Sequence, residues 1–488
     1  MKLLLTILSL IIVIAVVWQL RRPASEPAAP PQPHAPTATS APAAPSAPPV
    51  SSSTATAETP NIPPKPAPAA AAQPKTFALF NEPVTPAVHE LPSGALANWR
   101  LHAAHKPALV IFSNHPFLAP LRDEDRSTIR DFVRNALGSE LVRRGRLLVA
   151  DPLLTSPQTV SAAIEAGLIS ELIFVETTKK TVEQLSLANF QQRAYDADFL
   201  TGEEAKALTL KDGVIRGTVR GVPFRCVHPE KLPTLKVPTL VHIDLGYFDK
   251  LYVNEVKTPA YPMIYQLMTA IRDAAWPVLE VTLSYSNQEI EFTLEDRFMI
   301  STVADVLYRP ELLRENIPAS WELRANAHYA MEMFAETTGK ELVARAADSS
   351  PEDPAAQYDL ALALLRDRLA DEGFAALDRA VALDRGYAPA YVALSDRALE
   401  LGELETSLAL MTKAARALPD QPFIRISVAD RLIRLGRTRE ALVLLHDLRK
   451  LPWSPDYHPG VPAQLEEMLK AAGEQGIPRE RKLHVGHP

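Results

Sequence analysis

The sequence predicts a three-layer α/β domain with a mostly parallel sheet, followed by an all-α solenoid and preceded by an N-terminal transmembrane helix. Three observations predict this order. Between residues 77 and 316, short β-branched apolar runs alternate with helical spacing, as in a parallel sheet with helices packed on it. From 317 to 475 the pattern is helical throughout and recurs every 34 residues. At the start, Leu3–Leu20 is an apolar run without a single charge.

That first run, rich in Leu, Ile and Val, is long enough as a helix to span a hydrocarbon core of about 30 Å. Trp18 stands near its far end, where an interfacial ring is favoured. A cleaved signal peptide has an apolar core of about 7–15 residues and then a small-x-small site. Here the run is longer and continues into Gln19-Leu20-Arg21-Arg22, so residues 1–22 are expected to form an uncleaved single-pass anchor. Lys2 on one side nearly balances Arg21 and Arg22 on the other, and charge alone does not set the orientation. Residues 23–76 are a Pro/Ala-rich linker in which Pro23–Pro74 holds 16 of the 44 prolines, too poor in large apolar side chains to build a core. Such a segment is a semi-rigid spacer. Anchor plus spacer is a layout of bacterial-type inner-membrane proteins, and by that analogy the globular part is expected in the periplasm.

In the α/β region, Ala108–Phe112 reads as a strand leading into Ser113-Asn114-His115-Pro116-Phe117. Arg126–Leu137 has helical spacing, with Ile129, Phe132, Val133, Ala136 and Leu137 on one side. Arg146–Ala150 is another short apolar run. Thr159–Ala166 reads as helix, Glu171–Val175 as strand, and Ala205–Val222 as extended segments around the hairpin signal Asp212-Gly213. Thr239–Ile243 has the composition of a strand buried on both faces, and it ends on Asp244. Open α/β sheets bind ligands at the carboxyl ends of their strands, so Asp244 is placed where such chemistry sits. Pro262–Ala274 reads as helix and Val278–Leu283 as strand.

The helical region repeats at Leu360, Leu394 and Val428, at Ala380 and Ala414, and at Gly402 and Gly436. A 34-residue period of paired amphipathic helices is the tetratricopeptide (TPR) signature. Three repeats are visible, Pro354–Tyr387, Ala388–Asp420 and Gln421–Trp453. Ser320–Ala347 reads as a degenerate repeat or a packing helix on the N-terminal side, Gln464–Ala472 as a capping helix, and residues 476–488 as a polar tail. The groove of such a stack is the expected surface for a protein partner, with Arg431, Arg434 and Arg437 on its solvated face.

A net charge of −7 without a concentrated basic stripe gives no reason to expect nucleic acid. Cys226, the lone cysteine, excludes an intramolecular disulfide and a cysteine-rich zinc site.

Several motifs in order resemble the arginase/deacetylase-like α/β family, most closely its peptide-arginase branch. They are His89 followed by Trp99, Lys106-Pro107, Ser113-Asn114-His115-Pro116-Phe117, Arg130-Asp131-Phe132, Asp151-Pro152, Phe224-Arg225-Cys226, Leu232-Pro233 and His242-Ile243-Asp244-Leu245-Gly246-Tyr247-Phe248. The resemblance covers residues 77–309. It implies one strand ending Asp-x-His-x-Asp, another ending Asp-x-Asp, and a further upstream His. Together these would hold two Mn²⁺ ions that turn a bridging water into hydroxide. In this chain Ser113 and Phe117 replace the first two carboxylates, Gly246 replaces the last, and His115 and Asp244 are retained, with His89 as the upstream match. Deacetylase relatives hold one Zn²⁺ with Asp, His and Asp. Ser113, His115 and Asp244 fall one carboxylate short of that set, with His242 on the same face as Asp244.

The expectation is therefore a pseudoenzyme: a membrane-anchored, non-catalytic scaffold with no catalytic residue and no cofactor. The alternative is a metal-dependent hydrolase with a rebuilt mononuclear Zn or Mn site on His115, Asp244 and either His89 or His242. Against a metal role, His115 is a loop histidine bonded to backbone, and Asp244 caps the turn after its strand. Cys226 and His228 form no ligand pair, and Ser113 with His115 forms no nucleophile and base.

Overall fold

The computed structural model describes residues 79–80, 84–177, 185–285, 294–313 and 318–476. The Leu3–Leu20 run, the Pro-rich stretch and the 477–488 tail lie outside them. Among the described residues no helix is long and apolar enough to cross a membrane.

Eight strands form one sheet in the order β1-β8-β7-β2-β3-β6-β5-β4. They are β1 (Ala87–His89), β2 (Ala108–Ser113), β3 (Glu171–Glu176), β4 (Thr209–Lys211), β5 (Val214–Val219), β6 (Val222–Val227), β7 (Thr239–Asp244) and β8 (Val278–Ser284). From β1 to β6 every neighbouring pair is parallel, and β6-β5-β4 is an antiparallel edge. The two edge hairpins turn on Asp212-Gly213 and Arg220-Gly221, all four in the left-handed region. The first was expected from its Asp-Gly pair. The second was missed because arginine is a rare residue for that backbone. The chain runs from β2 to β3 on one side and returns as β7 on the other, so strand order reverses at the β2/β7 pair.

Helices cover both faces. Those of the first half are α1 (Leu96–Trp99), α2 (Arg126–Asn135), α3 (Gly138–Arg144), α4 (Thr159–Glu165), α5 (Leu187–Asp196) and α6 (Gly202–Ala207). Leu109, Ile111, Leu172, Phe174 and Leu240 pack there against Trp99, Ile129, Val133, Val160 and Phe190. After α7 (Gly246–Asp249), the opposite face, with Val110, Phe112, Val175, Val241 and Ile243, packs on α8 (Ala260–Ala274) and α9 (Phe298–Tyr308). Two readings change. Helix α2 stops at Asn135 and leaves Leu137 exposed. The Arg146–Ala150 run is no strand, because it connects helix α3 to a loop and borders the helical repeats.

Four helical hairpins follow: α10 (Ala319–Glu332) with α11 (Glu336–Ser349), α12 (Pro354–Arg366) with α13 (Ala370–Leu383), α14 (Pro389–Glu400) with α15 (Leu404–Ala417), and α16 (Pro422–Arg434) with α17 (Thr438–Arg449). Helix α18 (Val461–Gly476) covers the end. The period is written into the backbone. Phe334, Arg368, Gly402 and Gly436 follow one another at the repeat spacing, and each adopts positive φ in the turn inside its hairpin. Only the last two are glycines, so the first two turns carry a residue that this conformation disfavours. Ion pairs 35 residues apart join consecutive repeats: Arg324 to Asp359, Lys413 to Asp378, and Arg431 to Asp396. Arg431 is therefore buried and paired, not part of a solvated face, while Arg434 and Arg437 are exposed.

The stack shares one apolar core with the sheet, which runs from Val110 through Met299 to Tyr387 and Met411. Its inter-repeat turns lie along the α/β layer. Arg297, at the start of α9, has a side chain only 2 % exposed and bonds both Glu90 beside β1 and Asp384 after α13. Its guanidinium lies 3.6 Å over the Tyr285 ring, and a side chain on Gly386 would collide with it. Further along, Ser454 N–H donates to Ala150 O at 2.8 Å and His458 Nε2 to Val149 O at 2.8 Å. The described residues of the sheet and of the repeats thus belong to one compact unit.

Candidate functional site

Parallel register places the last residues of adjacent strands side by side. Ser284 pairs with Asp244, and Ser113 pairs with Glu176. Because β2 and β7 run in step, Ser284, Asp244, Ser113 and Glu176 form one row at the strand ends, on the face covered by α1 to α6. Two residues deeper on the same face, Thr282 pairs with His242. Ser113, Thr282, Ser284, His242 and Asp244 are all fully buried.

Their hydrogen bonds form a single ordered chain. Trp99 Nε1 can only donate, and it does so to Thr282 Oγ1 at 3.1 Å. Thr282 Oγ1 contacts His242 Nδ1 at 2.9 Å, and His242 Nε2 contacts Ser284 Oγ at 3.2 Å. Ser284 Oγ donates to Asp244 Oδ2 at 2.6 Å. Since an ionised carboxylate only accepts, Ser284 gives its single proton to Asp244 and receives one from His242 Nε2, which leaves Nδ1 to accept from Thr282. Asp244 Oδ1 takes two more donors, Ser113 Oγ at 3.1 Å and the Gly246 N–H at 2.9 Å. That last bond is the turn cap expected of an Asp at this place.

His115 follows the same logic. Its backbone N–H donates to Ser113 Oγ at 3.1 Å, and its Nδ1 accepts the Phe117 N–H at 2.8 Å. With Nδ1 accepting, a neutral ring carries its proton on Nε2, and neither nitrogen offers a lone pair. Phe117, fully buried with a positive φ, packs its ring against both His115 and His242. His89 contacts Asn98 Oδ1 through Nε2 at 3.0 Å, and its ring lies so close to Gly94 that any side chain there would strike Nδ1.

Burial sets the titration of these groups. It raises Asp244 to about 6 against the three hydrogen bonds that favour its charge. It lowers His242 to about 3, helped by the nearby His89, lowers His115 to about 4, and also lowers His89. The histidines are held neutral and Asp244 is the one negative charge of the β2/β7 pair. Its row neighbour Glu176 is ion-paired with Arg193 and accepts from Cys226 Sγ at 3.9 Å. Cys226 is a buried thiol whose ionisation is opposed by burial and by Glu176.

The residues present do not fit the one- or two-metal centre that the family resemblance implies. Dications need negative charge and free lone pairs. Here one carboxylate already accepts three hydrogen bonds, and the retained histidine has its lone pair committed to a backbone N–H. Among the described residues no group of three or more His, Cys, Asp and Glu side chains is placed to hold a metal ion. Ser113 and His115 are joined through a backbone N–H, not through the imidazole, so they form no nucleophile and base.

Sequence reasoning found His115, Asp244 and His242 but missed Thr282, Ser284 and Glu176. The available signal was a polar residue closing each buried apolar run: Ser113, Glu176, Asp244 and Ser284 each end a strand.

No family model matches the chain, and no curated protein matches it. A solved structure described as MamA AMB-1 aligns with 34% of this chain and 98% of that one, at 19% identity and a TM-score of 0.21. At that score the likeness carries no weight beyond the helical content already described.

Proposed function

We propose that this protein is a membrane-anchored, non-catalytic scaffold. Residues 1–22 anchor it, residues 23–76 hold it off the membrane, and helical repeats of tetratricopeptide type present a groove to a protein partner. The α/β domain, a degenerate relative of the arginase/deacetylase fold, is a second module that braces the stack. The periplasm is the proposed compartment.

The observation that supports this reading best is that the fully buried Asp244 already accepts three hydrogen bonds from its own chain. A hydrolase of the resembled class must present its strand-end carboxylates to metal and water, whereas this one faces Ser113, Ser284 and the Gly246 N–H. The retained fold then serves shape and not chemistry. The edge of the stack that carries its inter-repeat turns is engaged with the α/β layer, so a partner is left the faces of the helices themselves.

Photo-crosslinkers placed on the full-length chain in its membrane test the partner surface. Val392 and Arg425 are half-exposed on the first helices of the third and fourth hairpins. The proposal expects a discrete protein adduct from these positions and none from exposed sites on α2. Adducts from α2 alone would overturn it. Deleting residues 1–22 is expected to move the protein from the membrane fraction to the soluble fraction, and retention in the membrane would refute the anchor.

A further inference from the structure

Helices α8 and α9 of the α/β layer meet the first helical hairpin at an aromatic joint. The Tyr261 ring of α8 stacks on Trp321 of α10, with centroids 5.5 Å apart and planes at 5°. Phe298 of α9 lies under two side chains one turn apart on α10. The Arg324 guanidinium is 4.6 Å from its ring centroid, and the His328 imidazole stacks on it at 6.1 Å. The Tyr261 hydroxyl is buried there without a hydrogen-bond partner, so the joint is not closed by its own bonds.

Charge at this joint is unbalanced. Arg324, 5% exposed, bonds Asp359 of α12 at 2.8 Å and lies 3.9 Å from Asp353, the cap of that helix. Glu255, buried on the loop before α8, accepts from the Ala260 N–H at 3.5 Å, and its charge acts on His328. One guanidinium thus faces three carboxylates. Two more, Asp296 and Glu332, stand at the rim and act on the neighbouring Tyr252. The phenols of Tyr252 and Tyr261 are held neutral by burial. His328 is the remaining basic group of the cluster, with Nε2 3.5 Å from Asp359 Oδ2.

We propose that this joint is a pH-sensitive latch: protonated, His328 supplies the second cation and holds the first hairpin on the α/β layer, and deprotonated it releases that hold. Against its burial, Asp359 keeps the His328 imidazole above its ordinary value of 6.5. A histidine raised in this way contributes stability that is full below its unfolded value of about 6.5 and is lost as pH rises through its folded value. The sign is opposite to that of the buried strand-end histidines. Glu255 is also raised, by burial, and is the other group that titrates in the cluster. The latch stands whether or not the repeats recruit a partner.

Hydrogen exchange of the full-length protein tests it, followed by mass spectrometry near pH 6 and pH 8 with allowance for the intrinsic pH dependence of amide exchange. Amides of α9 and α10 are expected to exchange several-fold faster at the higher pH, with α14 unchanged as the internal reference. The His328 side chain is 29% exposed, so substitutions there leave the core filled. His328→Gln, neutral throughout, is expected to show the fast rate at both pH values, and His328→Lys, charged throughout, the slow rate at both. Equal protection of α10 at the two pH values in the unaltered chain would overturn the proposal. So would a pH difference that survives in His328→Gln, which would assign the titration to Glu255, or a His328→Lys chain that loosens at pH 8.

Discussion

Ser284 and Ser161 are buried serine hydroxyls on the same side of the sheet, in opposite surroundings. Ser284 donates its one proton to Asp244 and accepts from His242, so it is bonded in both directions inside the protein. Ser161 Oγ has no hydrogen-bond partner among the described residues and lines a cleft with two arginines and three glutamates. The strand-end row looks like an active site by position and is closed by its own hydrogen bonds. The helical layer has no such pedigree, yet it holds the buried hydroxyl that is left without a partner. Burial of polar groups does not distinguish the two, whereas their satisfaction does.

Satisfied buried groups should cost stability when removed, and the unsatisfied hydroxyl should not. The largest effect is expected at Arg297, the most completely enclosed arginine among the described residues. Arg297→Met leaves Glu90 and Asp384 without their cation, and chemical denaturation should show a loss of about 3–5 kcal/mol. A loss under about 1 kcal/mol would mean that sheet and repeats are held by apolar packing alone.

Acid should produce a comparable effect through the strand ends. His242 and His115 have depressed folded values, so the stability they contribute is full above their unfolded value of about 6.5 and is lost as pH falls toward about 3 and 4. Asp244 works the other way: its raised value gives stability present below about 4 and lost as pH rises through about 6. Two histidines outweigh one aspartate, and a net loss of about 4 kcal/mol is expected between pH 7 and pH 4. Denaturation midpoints measured across that window check it, and His242→Asn should flatten the profile.

The two serines give the sharpest contrast. Ser284→Ala strands Asp244 Oδ2 and the His242 Nε2–H, and should cost about 1–3 kcal/mol. Ser161→Ala removes a hydroxyl with no partner, and should change stability by no more than about 0.5 kcal/mol. Equal costs in thermal and chemical unfolding would erase the distinction between satisfied and unsatisfied hydroxyls.

Much of this layout was legible in the sequence, for physical reasons. Buried parallel strands write continuous β-branched runs, so Ala108–Phe112, Glu171–Val175 and Thr239–Ile243 were found, each one residue short of the strand's end. The repeat period was legible because each hairpin buries the same positions, such as Ala380 and Ala414, both fully buried. Phe334 and Arg368 hid two turns of that period, because the sequence there lacks the glycine the backbone favours. The strand-end row was half legible. Asp244 and His115 were visible as motif remnants, but Ser284 and Thr282 are ordinary strand residues until register sets them beside β7. The cleft was not legible. Arg126, Ser161 and Arg220 lie far apart in sequence, and nothing short of the fold brings them together.

The most direct measurement is metal binding by the full-length protein. Purified protein is stripped of metal, titrated with Mn²⁺ and with Zn²⁺, and followed by calorimetry and by metal content after dialysis. The closed strand-end row predicts that neither ion is retained and that the unfolding temperature does not move. One retained equivalent that disappears in Asp244→Asn and in His115→Gln would contradict the account.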